Sequence, residues 1–296
     1  MQEITMKDQL IRVISGEINV RAMACLTTET VRAVCARHRT RPTASVALGR
    51  ALTGGVLLGA LLKGRQRVAL KFEGNGPLGK IVVEADPMCL VHGYVGNPNV
   101  DLPLKGGRFD IPRALGHAGL LTVTKDLLLK NPYQGVVNLV SGEIAEDIAY
   151  YLTDSEQTPS AMGLTTIPDD SGGIVVAGGF LIQSLPPANE GALDLLSRRI
   201  ADLPPLGKVF HAGETPRDLL DRIFGDIPYE ILGHQGVAFH CPCSRDRVEQ
   251  ALVTLGPAEI RSLAERAEDT TVTCEFCREP YTFTPDDLRR LADERH

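Results

Sequence analysis

Two close pairs of cysteines carry the strongest chemical signal in the chain: Cys241-Pro242-Cys243, then thirty residues, then Cys274-Glu275-Phe276-Cys277. Each pair sets two thiols on one tight turn, and a fold that joins the turns aims four sulfurs at one point. A tetrahedral metal site requires that arrangement. Zn²⁺ is its natural occupant, in a closed shell with Zn–S bonds of about 2.3 Å. Four thiolates on one divalent ion leave a formal charge of about −2 and electron-rich sulfurs. Only deprotonated sulfur ligates, so oxidation destroys such a site. Spacing alone leaves three readings open: a static ribbon that holds the tail, a nucleic-acid-binding ribbon, and a redox-responsive centre. From residue 240 onward twelve acidic residues stand against eight basic ones, which opposes binding to a phosphate backbone. His240 adjoins Cys241, but four cysteines already fill the shell.

The remaining chemistry-bearing patterns are weaker. Cys25, Cys35 and Cys89 sit in apolar surroundings without close partners and are expected to be buried core thiols. No neighbouring feature supports a catalytic Cys–His pair. Gly74-Asn75-Gly76-Pro77-Leu78-Gly79 fits G-x-G-x-x-G by letter. A dinucleotide loop must open a helix whose N-terminus meets the phosphates. Here β-branched Ile81-Val82-Val83 follow and Pro77 suits a turn, so a hairpin connection is expected.

The elements that must position these residues form a mixed set. Residues 8–24 read as a strand pair around Ser15-Gly16, and Thr28-Glu29 opens a capped helix that ends near His38. Ala44 to Leu62 is apolar enough to resemble a membrane span. Arg50 and the glycines at 49, 54, 55 and 59 make a buried core helix the better reading. Strands are expected at 68–72, 81–85, 89–95, 119–125, 134–141 and 173–184, with a helix over 144–152. Hairpin-like spacing without regular βαβ alternation predicts an α+β domain with a mainly antiparallel sheet. After Pro186-Pro187 come short amphipathic helices, Leu193–Leu203 and Pro216–Ile223, broken by Pro204-Pro205 and Gly207. Helices this short are marginal alone and need a surface to pack on. The expected division is a core over 1–186, a helical metastable linker over 187–236 and a zinc-binding segment over 237–296. That last segment is too small to be held by an apolar core alone.

Composition narrows the functions. Of 296 residues 43% are hydrophobic and 23% charged, which gives a real core and excludes a disordered chain. Net charge is −6, Trp is absent and aromatics make up 5%, so neither phosphate contacts nor base stacking are favoured. Met1-Gln2-Glu3-Ile4 shows neither the basic nor the apolar region of a secretory signal. Seven cysteines without an export signal suit a reducing compartment, where they serve metal, redox chemistry or core packing.

The tail resembles the zinc switch of the redox-regulated heat-shock chaperone family of the bacterial cytosol, the 33-kDa class. The match runs through Phe239-His240-Cys241-Pro242-Cys243-Ser244-Arg245-Asp246-Arg247, Ala251-Leu252, Thr254-Leu255, Cys274-Glu275-Phe276-Cys277 and Tyr281-Thr282-Phe283. Further landmarks follow the family's order: Glu73-Gly74-Asn75-Gly76-Pro77, Tyr133-Gln134-Gly135-Val136-Val137, Ser155-Glu156-Gln157-Thr158-Pro159 and Ala177-Gly178-Gly179-Phe180-Leu181-Ile182-Gln183. The resemblance covers essentially the whole chain.

What it implies is an ATP-independent holdase of the cytoplasm, not an enzyme. Reduced protein would carry one Zn²⁺ on Cys241, Cys243, Cys274 and Cys277 and be inactive. Oxidation would form the disulfides Cys241–Cys243 and Cys274–Cys277 and release the metal. Tail and linker would then unfold, and the protein would form a homodimer and bind unfolding client proteins, with no nucleic-acid or membrane partner. Two other readings remain: a constitutive zinc-ribbon binding module, possibly for RNA, and a thiol oxidoreductase working through Cys274 and Cys277. The second wants a thioredoxin-like βαβ setting, which these residues lack.

Overall fold

Strand alternation begins with the first described residues, which in this computed structural model are 7–169, 171–266 and 268–293. The N-terminal tetrapeptide read for a secretory signal therefore lies outside them. Strands β1 (Gln9–Ser15) and β2 (Val20–Leu26) pair antiparallel around the Ser15-Gly16 turn, with Leu10 opposite Cys25. Helix α1 (Thr28–His38) begins where expected but is capped differently. The Asp8 carboxylate, not Thr28, accepts from the backbone N–H of Glu29 and Thr30, at 3.1 and 2.7 Å. The Thr28 hydroxyl donates instead to the Ala177 carbonyl.

Helix α2 (Pro42–Gly59) is the apolar stretch that mimics a membrane span. Apart from Arg50, its residues from Thr43 to Gly59 are buried. A helix that is hydrophobic on all sides belongs between other layers, and α2 lies between two sheets. Two of its glycines make the fit possible. A Cβ on Gly49 would come within 2.6 Å of Thr166, and one on Gly55 within 2.6 Å of Val83. Among the described residues no helix is long and apolar enough to cross a membrane.

Strands β3 (Arg67–Gly74), β4 (Lys80–Ala85) and β5 (Leu90–Val95) follow as an antiparallel meander. The G-x-G-x-x-G letters are the β3–β4 hairpin, closed by Gly74 N–H on the Gly79 carbonyl at 3.0 Å. Gly79 there has φ +70, a conformation that favours glycine. After the short helix α3 (Ile111–Leu115), which the sequence did not announce, come β6 (Gly119–Asp126) and β7 (Tyr133–Asn138). Strand β7 stops before the expected residue 141. The N–H groups of Val140 and Ser141 turn inward to Asp147, at 2.8 and 3.1 Å, in helix α4 (Ile144–Asp154). Strands β8 (Ser160–Pro168) and β9 (Ile174–Ser184) complete the first set, β8 being unanticipated.

Helices α5 (Glu190–Ala201), α6 (Leu206–His211) and α7 (Pro216–Phe224) occupy the stretch read as helical linker. Gly207 lies inside α6 rather than breaking it. Residues 230–236 are not helical: they form strand β10 (Glu230–Gly236), and β11 (Ala238–Phe239) follows. The five-stranded sheet has the order β10-β1-β2-β9-β8 and the six-stranded sheet β11-β5-β4-β3-β6-β7. All pairings but β11–β5 are antiparallel. This is the α+β, mainly antiparallel architecture the spacing predicts.

The chain divides into two compact units, residues 1–240 and 241–296. The first has two apolar layers. One joins α1, α2 and α4 to the facing sides of both sheets. The other lies on the opposite face of the five-stranded sheet, where Ile11, Val13, Val20, Ala22, Phe180 and Ile182 meet Leu196, Phe210, Leu219, Leu220, Ile223 and Phe224 from α5–α7. The second unit comprises α8 (Arg245–Val253), α9 (Pro257–Ala264), the hairpin β12 (Thr270–Thr273) and β13 (Pro280–Phe283), and α10 (Pro285–Asp293). Its core is small: Leu252, Ile260, Ala264, Phe283, Leu288, Leu291 and Ala292.

Candidate metal centre

The β12–β13 hairpin makes the second cysteine pair into a knuckle. Thr273 pairs with Pro280, and Cys274 N–H donates to the Glu279 carbonyl at 2.9 Å. Arg278 N–H returns to the Cys274 carbonyl at 2.9 Å, with Arg278 at φ 62. Both Cys274 and Cys277 thereby lie on one side of a closed turn. The first pair leads into α8, whose N-cap Ser244 accepts from Arg247 N–H.

Arg245 joins the two pieces. Its guanidinium donates to the Thr282 carbonyl at 2.8 Å and to Asp287 at 3.0 Å, and it lies 4.3 Å over the Phe283 ring. Hydrogen bonds and ring contact together fix the α8 start against the hairpin.

The outcome is a cluster of four sulfurs, all within 4.8 Å of one another: Cys241, Cys243, Cys274 and Cys277. Across the two turns Cys241 Sγ lies 3.8 Å from Cys274 Sγ, and Cys243 Sγ lies 3.2 Å from Cys277 Sγ. A tetrahedron with arms of about 2.3 Å has edges of about 3.8 Å, so the spacing suits a thiophilic ion. Among the described residues no carboxylate or imidazole joins the set, and His240 stays outside it, its backbone N–H on the Val91 carbonyl. A purely sulfur donor set favours soft or borderline metals over Mg²⁺ or Ca²⁺.

The sulfurs are not equivalent. Burial pushes the Cys241 thiol up, and pushes Cys277 up to about 11. Burial opposes ionisation of Cys243 too, but hydrogen bonds from the Tyr281 hydroxyl and the neighbouring thiols outweigh it and hold Cys243 below its ordinary value. Tyr281 Oη lies 3.1 Å from Cys243 Sγ. Reasoning from the sequence assigned no role to Tyr281 or Arg245. The signal for both is the hairpin register, which puts Tyr281 and Thr282 beside the knuckle.

The other cysteines are elsewhere. Cys25, Cys35 and Cys89 are buried and carry no disulfide. Burial raises all three thiols, Cys89 to about 11, which leaves them protonated and unreactive at neutral pH.

An antiparallel α+β unit followed by a small four-thiol unit defines a two-unit protein with a candidate metal centre. A family model described as Hsp33 protein matches residues 8–284, and the chain belongs to the Hsp33 family. It is 52% identical to the 33 kDa chaperonin of Geobacter sulfurreducens over 98% of this chain and 97% of that protein. It is 40% identical to the 33 kDa chaperonin of a Geobacillus species over 97% of each. The crystal structure of the 33 kDa chaperonin (heat shock protein 33 homolog) from Thermotoga maritima superimposes with a TM-score of 0.90. The identity is 34%, covering 98% of this chain and 99% of that one.

Proposed function

We propose that this chain is a redox-regulated, ATP-independent holdase of the bacterial cytoplasm that keeps unfolding proteins from aggregating, and that it catalyses no reaction. The four-sulfur cluster on a unit with so small a core is the observation that carries this reading. In the resting state Cys241, Cys243, Cys274 and Cys277 hold one Zn²⁺, which supplies a crosslink between the two knuckles. Metal binding at such sites contributes on the order of 10 kcal/mol, comparable to the stability of a whole domain.

Oxidation converts the pairs to Cys241–Cys243 and Cys274–Cys277. Forming each disulfide passes two electrons from a thiol pair to the oxidant; with peroxide, two thiols yield one disulfide and two waters. Sulfurs bound to each other no longer ligate, and the unit loses its main stabilising term. We assign the three functional parts as 1–186 for client binding and dimerisation, 187–236 as removable cover and 237–296 as switch.

The cover has the physical character this role needs. Helices α5–α7 are six to twelve residues long and are ordered by the apolar face they occupy. Without them the face formed by Ile11, Val13, Val20, Ala22, Phe180 and Ile182 meets water, a contiguous apolar surface of the kind that captures unfolded chains. The test is light scattering of a heat-unfolding client without ATP. Peroxide-treated protein suppresses scattering and reduced protein does not; equal suppression by both forms overturns the switch.

A further inference from the structure

Between the helical cover and Cys241 the chain forms a strap across two sheet edges. Strand β10 pairs with β1, from Gln9 opposite Gly236 to Ile14 opposite Glu230, and closes the five-stranded sheet. Val237 N–H then donates to the Asp8 carbonyl at 3.2 Å. Strand β11 pairs with the start of β5 in the six-stranded sheet, with Ala238 N–H on Cys89 and His240 N–H on Val91. Ten residues thus run along one edge of each sheet, covering β1 and the first two residues of β5.

Val237, buried in the main core, pins the strap between its two strands, but β10 itself is held in an unusual way. No side chain of β10 is buried: Leu232 is 61% exposed, Ile231 38%, and two of its seven residues are glycine. A strand that buries no side chain is retained by its main-chain hydrogen bonds. Among the described residues its side-chain hydrogen bonds are those of Gln235, which donates to Pro87 O at 3.0 Å and Met88 Sδ at 3.8 Å and accepts from Arg12 at 2.9 Å. The edge it occupies is the opposite. Strand β1 buries Leu10 on one face and Ile11 and Val13 on the other, which gives an apolar neighbour on each side of an incoming strand. An edge that holds a strand mainly through its backbone accepts other extended chains with little regard to sequence.

We propose that the β1 edge, continued by the start of β5, is a strand-addition site for extended segments of non-native polypeptide, and that β10–β11 is its built-in placeholder. This deepens the holdase reading and rests on it. While the strap is tethered at both ends, its effective concentration at the edge is high and clients are excluded. When residues beyond Cys241 unfold, one tether is lost, the loop-closure advantage falls, and a client strand with alternating apolar residues competes.

Backbone amide exchange on the full chain tests this, with reduced, carboxymethylated α-lactalbumin as a permanently unfolded probe. Oxidation should speed exchange in both 9–15 and 230–236 at least tenfold. Adding the probe should restore protection at 9–15 at least tenfold and leave 230–236 exchanging. Renewed protection of both segments means that the strap itself has returned, and overturns the proposal. So does probe binding with 9–15 still unprotected, a result that leaves the holdase reading intact. An oxidised chain that holds no probe overturns the holdase reading and this inference together.

A double variant keeps the question independent of that pattern. A Cβ added at Gly233 or Gly236 meets nothing within 4 Å, so Gly233→Val with Gly236→Thr strengthens β10 without strain. We expect at least tenfold slower probe capture by the oxidised variant, with amide exchange in 206–224 unchanged. Capture at the wild-type rate overturns the proposal.

Discussion

Arg199 in α5 donates a hydrogen bond to the carbonyl of Phe224, the last residue of α7, and a second to the Asp226 carboxylate just beyond. One side chain thus ends α7 and ties it to α5 in the layer that covers the five-stranded sheet. Gly225, at φ 59, leaves room for it: a Cβ there would meet the guanidinium at 2.8 Å. Arg199→Ala leaves the carbonyl uncapped at a cost of about 1–2 kcal/mol, while the exposed ion pair adds little. Amide exchange of 216–224 in reduced protein should rise roughly tenfold, and oxidative activation should be faster.

Phe224 itself is fully buried against β1 and β2. Truncation of such a side chain costs about 3–5 kcal/mol. Phe224→Ala should release the cover while the thiol cluster stays reduced. The expected result is client protection without oxidant and with zinc still bound. Protection that still requires peroxide would show that α7 does not control access.

Cys243→Ser removes the sulfur that Tyr281 contacts and one of the four proposed ligands. Zinc affinity should fall by several orders of magnitude, since an oxygen replaces a thiolate in a sulfur site. Residues 241–296 should then be digested by protease under reducing conditions while β1–β9 resist. Unchanged zinc stoichiometry and resistance would remove Cys243 from the ligand set.

Asp147 gives a pH signature in the core. Its carboxylate is fully buried, Oδ1 accepts from Val140 and Ser141, and Oδ2 has no hydrogen-bond partner among the described residues. Burial raises its pKa against those hydrogen bonds. A carboxyl whose folded pKa exceeds its unfolded value binds its proton more tightly when folded. Its contribution to stability is greatest below the ordinary Asp range near 4 and declines as pH rises through the folded value. Asp147→Asn removes that dependence. The melting temperature of Asp147→Asn relative to wild type should therefore rise from pH 4 to pH 7; a constant difference would contradict the assignment.

Where side-chain pattern dictates structure, the sequence is readable. The alternation in β1, β3 and β4, the all-apolar α2 and the 28–38 helix follow from burial, and the thiol cluster follows from spacing. The elements that escape notice are those placed by their neighbours. Strand β8 shows no clean alternation, because most of its residues are only half-buried at a sheet edge and it is defined by pairing with β9. Strand β10, with two glycines and no buried side chain, exists because β1 offers an edge. Gly207 reads as a helix breaker, yet α6 needs it: a Cβ there would meet Ile167 at 2.2 Å. Asp8 capping α1 and Arg245 bracing the hairpin are likewise contacts between distant residues, with no local trace.

The most direct test of the central claim counts metal and activity in one sample. Zinc content, free thiols and suppression of client aggregation are measured before and after peroxide at elevated temperature. The account predicts one zinc per chain and no suppression at first, then loss of the metal together with four thiols and the appearance of suppression. Protein purified from a reducing cell without metal, or protein that keeps its zinc after peroxide and heat yet suppresses aggregation, would contradict it.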